Sequence, residues 1–154
     1  MVSPRAARTQ SLGSRPSAAA AELGTSLTLR GVARAVTLLT PRVAEGLEPS
    51  DWVRAARGDT TLVVYMAGRQ IATTASALIA QGLSAGTPIA IQESVSMPGA
   101  RLWIGTLHEA ATQAIAPAGG PVILTIGDAL RGALEVRAGE AVPAGAGVAQ
   151  ARVA

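Results

Sequence analysis

From Thr60 to Gly127 the chain alternates short apolar runs with stretches of helical period, separated by turn residues. Thr61-Leu62-Val63-Val64-Tyr65-Met66 is almost continuously apolar, the mark of a strand buried on both faces. Downstream, Ile71, Ala75, Leu78 and Ile79 fall on one stripe at the i, i+4, i+7, i+8 spacing and predict a helix. Gly82 is its natural C′ residue. Two strands follow, Thr87-Pro88-Ile89-Ala90-Ile91 and Arg101 to Leu107, joined by a short loop without a helix, so they are expected to pair antiparallel. Thr106-Leu107-His108-Glu109 reads as a capping box opening a helix that turns Ala111 and Ile115 inward and stops before Pro117. Pro121 to Gly127 is the last strand. Upstream, β-branched and aliphatic residues from Arg34 to Thr40 predict a strand bounded by Pro41. Ser50, with Asp51 in the first turn, caps a short helix that ends at Gly58 and faces Val53 and Ala56 inward.

Alternating strands and helices predict an α/β domain, a mixed sheet of about five strands flanked by helices. The expected organisation is an irregular segment over residues 1–24, the domain over 25–130, and a low-complexity, disordered tail over 131–154. One domain of this size buries roughly two-thirds of its unfolded surface, enough for a core without staples. Phenylalanine is absent and the aromatics are Trp52, Tyr65 and Trp103, so the core must be built from Val, Ile, Leu and Ala.

The sequence pI of about 11.0 suggests nucleic acid until the charges are placed. Residues 25–130 carry seven arginines and seven acidic residues, and the net charge of +3 sits in the flanks. The pI is high because every basic residue is arginine. With no basic stripe and no aromatic interleaving, nucleic-acid binding is not expected. Cysteine is absent, which excludes a disulfide framework, a thiolate metal site and a cysteine nucleophile, and fits a cytoplasmic protein. No apolar run approaches the ~20 residues needed to span a bilayer, so no membrane association is expected. His108, the sole histidine, sits in the capping box at an exposed helix start. No Ser-His-Asp set, metal-ligand spacing, G-x-G-x-x-G or P-loop segment is present.

The segments Tyr65-Met66, Thr87-Pro88-Ile89-Ala90 and Gly105-Thr106-Leu107, in this order and spacing, resemble the C-terminal half of the uroporphyrinogen-III C-methyltransferases, within the tetrapyrrole methylase family. The resemblance covers about residues 25–130. It implies methylation of a pyrrole carbon of uroporphyrinogen III toward precorrin-2, in sirohaem and cobalamin synthesis, with S-adenosylmethionine as methyl donor. It implies cofactor contacts at Met66, Ala67 and Ala90. For Ala90 a second reading stands beside it: Pro88 opens a strand and Ala90 packs beneath a helix. Leu27-Thr28-Leu29-Arg30-Gly31 matches the segment that enters the family's C-terminal domain. The substrate is rich in carboxylates, so the resemblance implies substrate contacts at Thr28, Arg30 and Arg101, the arginines by bidentate pairing.

Where the family's N-terminal domain carries a glycine-rich loop and an aspartate motif for the cofactor, nothing here matches. Leu29 replaces a usual histidine, Pro41-Arg42 a common Gly-His, and Val95 a glycine that often lines the cofactor pocket. The resemblance therefore implies a fragment that works with an N-terminal half-domain, or as a homodimer. The alternative is a non-catalytic remnant acting as a dimerisation or interaction module. A precorrin methyltransferase of the same family is a third reading.

Overall fold

A computed structural model describes residues 16–41, Ala56 and 58–139. Helix α1 spans Pro16–Glu22 and strand β1 Ala35–Leu39; β2 is Thr60–Tyr65 and helix α2 Ile71–Ala80. Strand β3 spans Pro88–Glu93, β4 Arg101–Thr106, helix α3 Leu107–Thr112 and β5 Val122–Ile126. A 3-10 turn, Asp128–Leu130, leads into helix α4, Arg131–Gly139. The five strands form one sheet in the order β1-β2-β5-β3-β4. β1 and β2 are parallel, while β5 is antiparallel to both β2 and β3, and β4 is antiparallel to β3. The sheet is mixed, and β1, β2 and β3 run in one direction. Their carboxyl ends therefore lie on one edge of the sheet and their amino ends on the other.

The two faces bury different sets. Leu62, Val64, Ile89, Ile91, Leu124 and Ile126 pack on α2 and α3 through Ile71, Ala75, Leu78, Leu107 and Ala110. On the other face Val63 and Ile123 pack with Val95 and Ala19 of α1, flanked by Leu27, Val36 and Tyr65. Each fully buried Leu or Ile contributes about 1.5–3 kcal/mol of hydrophobic free energy. An aliphatic core without phenylalanine is thus sufficient here.

The local signals act as their chemistry predicts. Gly82 has φ +102; its N–H bonds the Ile79 carbonyl and the Leu83 N–H bonds the Leu78 carbonyl, a Schellman ending for α2. At the start of α3 the Glu109 N–H donates to Thr106 Oγ1, and Glu109 Oε2 accepts from the Thr106 N–H at 2.7 Å. The β3–β4 antiparallel pair runs in register from Pro88↔Thr106 to Glu93↔Arg101.

Three readings need correction. Helix α3, expected to run on to Pro117, ends at Thr112, and Ile115 packs against the core from the segment that follows. Residues 16–22, expected to be irregular, form α1. The run Ala18 to Ala21 has the highest intrinsic helix propensity, and alanine buries too little to show an apolar period. The tail, expected to be disordered from residue 131, begins with α4. Its anchor is Arg137, whose guanidinium bonds the Ile104 carbonyl and lies 5.6 Å from the centre of the Trp103 ring. A contact made through an arginine is not registered by an apolar pattern. The expected Ser50 helix falls outside the described residues except for Ala56, which packs against the α2–α3 core, and Gly58.

Candidate functional site

Three non-glycine residues among those described have positive φ: Met66 at 56°, Ser94 at 56° and Ser96 at 59°. All three follow the carboxyl end of β2 or β3. Such conformations cost on the order of 1–3 kcal/mol each and persist only where the surroundings enforce them. This is also the edge at which open α/β sheets take ligands. Met66 is 66% exposed, so its side chain fills no gap in the core. Ala67, next to it, is fully buried. A β-carbon on Gly68 would lie 3.1 Å from Val122 Cγ2, so the chain after Met66 lies close against the start of β5.

A buried carboxylate organises the loop that precedes β5. Glu93, at the end of β3, is 5% exposed and accepts from the Ala118 N–H at 2.9 Å and the Gly120 N–H at 2.6 Å. The Ser94 N–H donates to the Pro121 carbonyl at 2.9 Å. A β-carbon on Gly120 would overlap Ser94 Oγ and stand 3.1 Å from Glu93 Oε1. The loops after β3 and before β5 therefore interlock without free volume.

Five of the sequence-derived candidates divide between the two edges, and Ala90 lies in mid-sheet. Met66, Ala67 and Arg101, which opens β4 opposite Glu93, are at the carboxyl edge. Ala90 is fully buried in mid-strand between Ile104 and Thr125, on the sheet face that α1 covers. Thr28 and Arg30 sit at the amino edge: the Leu29 N–H bonds the Ala33 carbonyl, and the Arg34 N–H bonds the Asp59 carbonyl just before β2. A six-residue strand, about 17–20 Å, separates them from Arg101. The structure does not bring Arg30 and Arg101 together. His108 is exposed. A cleft of about 480 Å³ lined by Leu29, Val32, Asp128, Arg131 and Glu135 also lies at the amino edge, away from Met66. Among the described residues no cluster of three His, Cys, Asp or Glu could hold a metal, and no helix is long and apolar enough to cross a membrane.

The family model for tetrapyrrole (corrin/porphyrin) methylases matches residues 14–111. The chain belongs to the tetrapyrrole methylase family. A uroporphyrinogen-III C-methyltransferase of Pseudomonas aeruginosa is 36% identical over 115 residues, covering 74% of this chain and 46% of that protein. A siroheme synthase of Sodalis glossinidius is 36% identical over 110 residues, covering 71% of this chain and 23% of that protein. The solved structure of a Thermus thermophilus uroporphyrin-III C-methyl transferase complexed with S-adenyl homocysteine superimposes with a TM-score of 0.61 at 28% identity, over 75% of this chain and 48% of that one. The tetrapyrrole methylase chain thus spans about half the length of the uroporphyrinogen methyltransferases it matches.

Seen as a tetrapyrrole methylase, the carboxyl edge holds residues that sequence reasoning passed over. Arg69, three positions after Met66, is exposed on the same edge as Arg101, and neither carries an ion pair among the described residues. Proximity to Tyr65-Met66 was the available signal for Arg69. Ser94 and Ser96 gave none, since serine does not announce a positive φ. Val95, between them, is fully buried in the α1-side core, and its serine neighbours carry the left-handed backbone. Tyr65, before Met66, has its phenol pushed above the ordinary value by burial.

Proposed function

We propose that this chain supplies one half of a site that transfers a methyl group from S-adenosylmethionine to a carbon of uroporphyrinogen III, in sirohaem and cobalamin synthesis. The polypeptide corresponding to the unmatched half of the relatives, on the same chain or a separate one, completes the site. The observation that carries this reading is the gathering of the three left-handed non-glycine residues among those described, with exposed Met66, at the carboxyl edge of β2 and β3. The residues there fit a nucleoside-type cofactor: Met66 leaves the strand with a left-handed backbone, and Ala67 and Gly68 keep the surface behind it small.

S-Adenosylmethionine brings a methyl group already activated by its sulfonium, and an electron-rich pyrrole carbon needs no protein base to attack it. The protein is left with alignment and exclusion of water. Met66 and Ala67 hold the cofactor through the backbone. Arg101 and Arg69 receive substrate carboxylates, where a guanidinium pairs in bidentate fashion. Arg30 and Thr28, at the far edge, contribute to neither contact. Ala90 acts beneath the site as packing between strands.

The test uses the chain together with the N-terminal half of a family member. Calorimetry measures S-adenosylhomocysteine binding, and mass spectrometry follows methyl addition to uroporphyrinogen III. Binding and methylated product are expected, with binding weakened in Met66→Val, because a β-branched residue resists positive φ. Failure to bind S-adenosylhomocysteine with the added half present refutes the proposal.

A further inference from the structure

We infer that Glu22, at the end of α1, is a positioning residue for the cofactor edge: its carboxylate holds the strained Ser94–Ser96 loop in place across 74 residues of sequence. The inference rests on the function proposed above. Glu22 Oε1 accepts from the Ser96 N–H at 2.7 Å. Glu22 Oε2 accepts from Gln92 Nε2 at 3.4 Å, and the same nitrogen donates to the Ala19 carbonyl at 3.0 Å. The amide of Gln92, fully buried in β3, thereby fixes the end of α1 over the sheet.

Val95 is held by burial in the α1-side core and Ser94 by its bond to Pro121, while the other backbone bonds of the loop are local. The Met97 N–H bonds the Ser94 carbonyl and the Ala100 N–H bonds the Met97 carbonyl, both within the loop. Among the described residues, Glu22 provides the one hydrogen bond that ties positions 95–100 to another element. Ser94 and Ser96 have φ of 56° and 59°, so this stretch would relax toward ordinary backbone if released. A bond to an ionised acceptor is roughly twice as strong as a neutral one, which suits a carboxylate to this task. Helix α1 is then part of the site's construction, and the Ser94–Ser96 turn faces the cofactor in the shape that Glu22 imposes.

The experiment compares wild type, Glu22→Ala and Glu22→Gln. Amide hydrogen exchange is read at Ser96 and its neighbours, with the α2 amides around Leu78 as an internal control. S-Adenosylhomocysteine affinity is read in the assembly with the added N-terminal half. Glu22→Ala is expected to speed exchange at Ser96 and weaken binding about tenfold, the effect of losing one charge-assisted bond, while α2 exchange stays unchanged. Glu22→Gln keeps one acceptor oxygen, without the charge and without the second acceptor that faces Gln92, and is expected to recover about half of each effect. Unchanged Ser96 exchange in Glu22→Ala overturns the inference, as does unchanged affinity where wild type binds. If wild type fails to bind, the function proposed above fails, and the exchange comparison still decides whether Glu22 holds the loop.

Discussion

The interlocked loops at the carboxyl edge make Gly120→Ala a sharp perturbation. The new methyl group would overlap Ser94 Oγ and approach Glu93 Cγ and Oε1 at 3.1 Å. The Ser94 backbone is pinned by its N–H bond to Pro121 and its left-handed φ, so the hydroxyl can give way only by turning about χ1. Glu93 cannot withdraw without stretching its bonds to the Ala118 and Gly120 amides. Overpacking of this kind costs about 1–3 kcal/mol. Strain on the hydrogen bonds to an ionised side chain, each worth about 1.5–3 kcal/mol, sets the upper part of that range. The serine hydroxyl is the closest obstacle, so Ser94→Gly should remove part of the cost and also relieve the left-handed φ. Urea unfolding of the two single variants and the double variant, at constant m-value, measures this coupling. The expected result is a loss of about 2 kcal/mol for Gly120→Ala, of which about 1 kcal/mol is recovered in the Ser94→Gly background. A loss below about 0.5 kcal/mol, or the same loss in both backgrounds, would refute the account of the interlock.

Thr106→Ala removes the acceptor for the Glu109 N–H and half of the capping box of a six-residue helix. It should cost about 1 kcal/mol in the same urea assay, and an unchanged midpoint would show that α3 is held by packing alone. Tyr65 is the single tyrosine of the chain, so its ionisation can be followed by phenolate absorbance without interference from another tyrosine. Burial favours the neutral phenol, so the folded chain binds this proton more tightly than the unfolded one, and stability falls as pH rises from 10.0 through the higher folded pKa. A phenolate midpoint at or below 10.0 would contradict that burial.

Much of the fold could be read from period and punctuation because those signals are local. The apolar run of β2, the stripe of α2, Gly82 and the Thr106–Glu109 box each determine their own element with residues a few positions apart. What escaped depends on distant partners. Alanine-rich α1 is recognisable as a helix through Ala19 against the sheet and Glu22 against Ser96. Helix α4 depends on Arg137 reaching Trp103. The place of Met66 and Arg101 at the carboxyl edge was legible through the order of the segments around them. The grouping of arginines was not, because the direction of β1 relative to β2 decides which edge Arg30 occupies. The left-handed serines at 94 and 96 answer to distant partners, the loop before β5 for Ser94 and Glu22 for Ser96, which no short pattern encodes.

The strand order has a consequence for how this chain acquires its structure. β5, the last of the described strands, lies between β2 and β3, and among the described residues no ladder joins the β1–β2 pair to the β3–β4 pair without it. During synthesis the residues of β1 to β4 therefore lack the strand that joins them until the Val122–Ile126 stretch emerges. Such non-local closure is slow, and unpaired edges invite association with other chains. Productive assembly waits on one central strand, and truncation ahead of it should yield aggregates instead of a smaller folded domain.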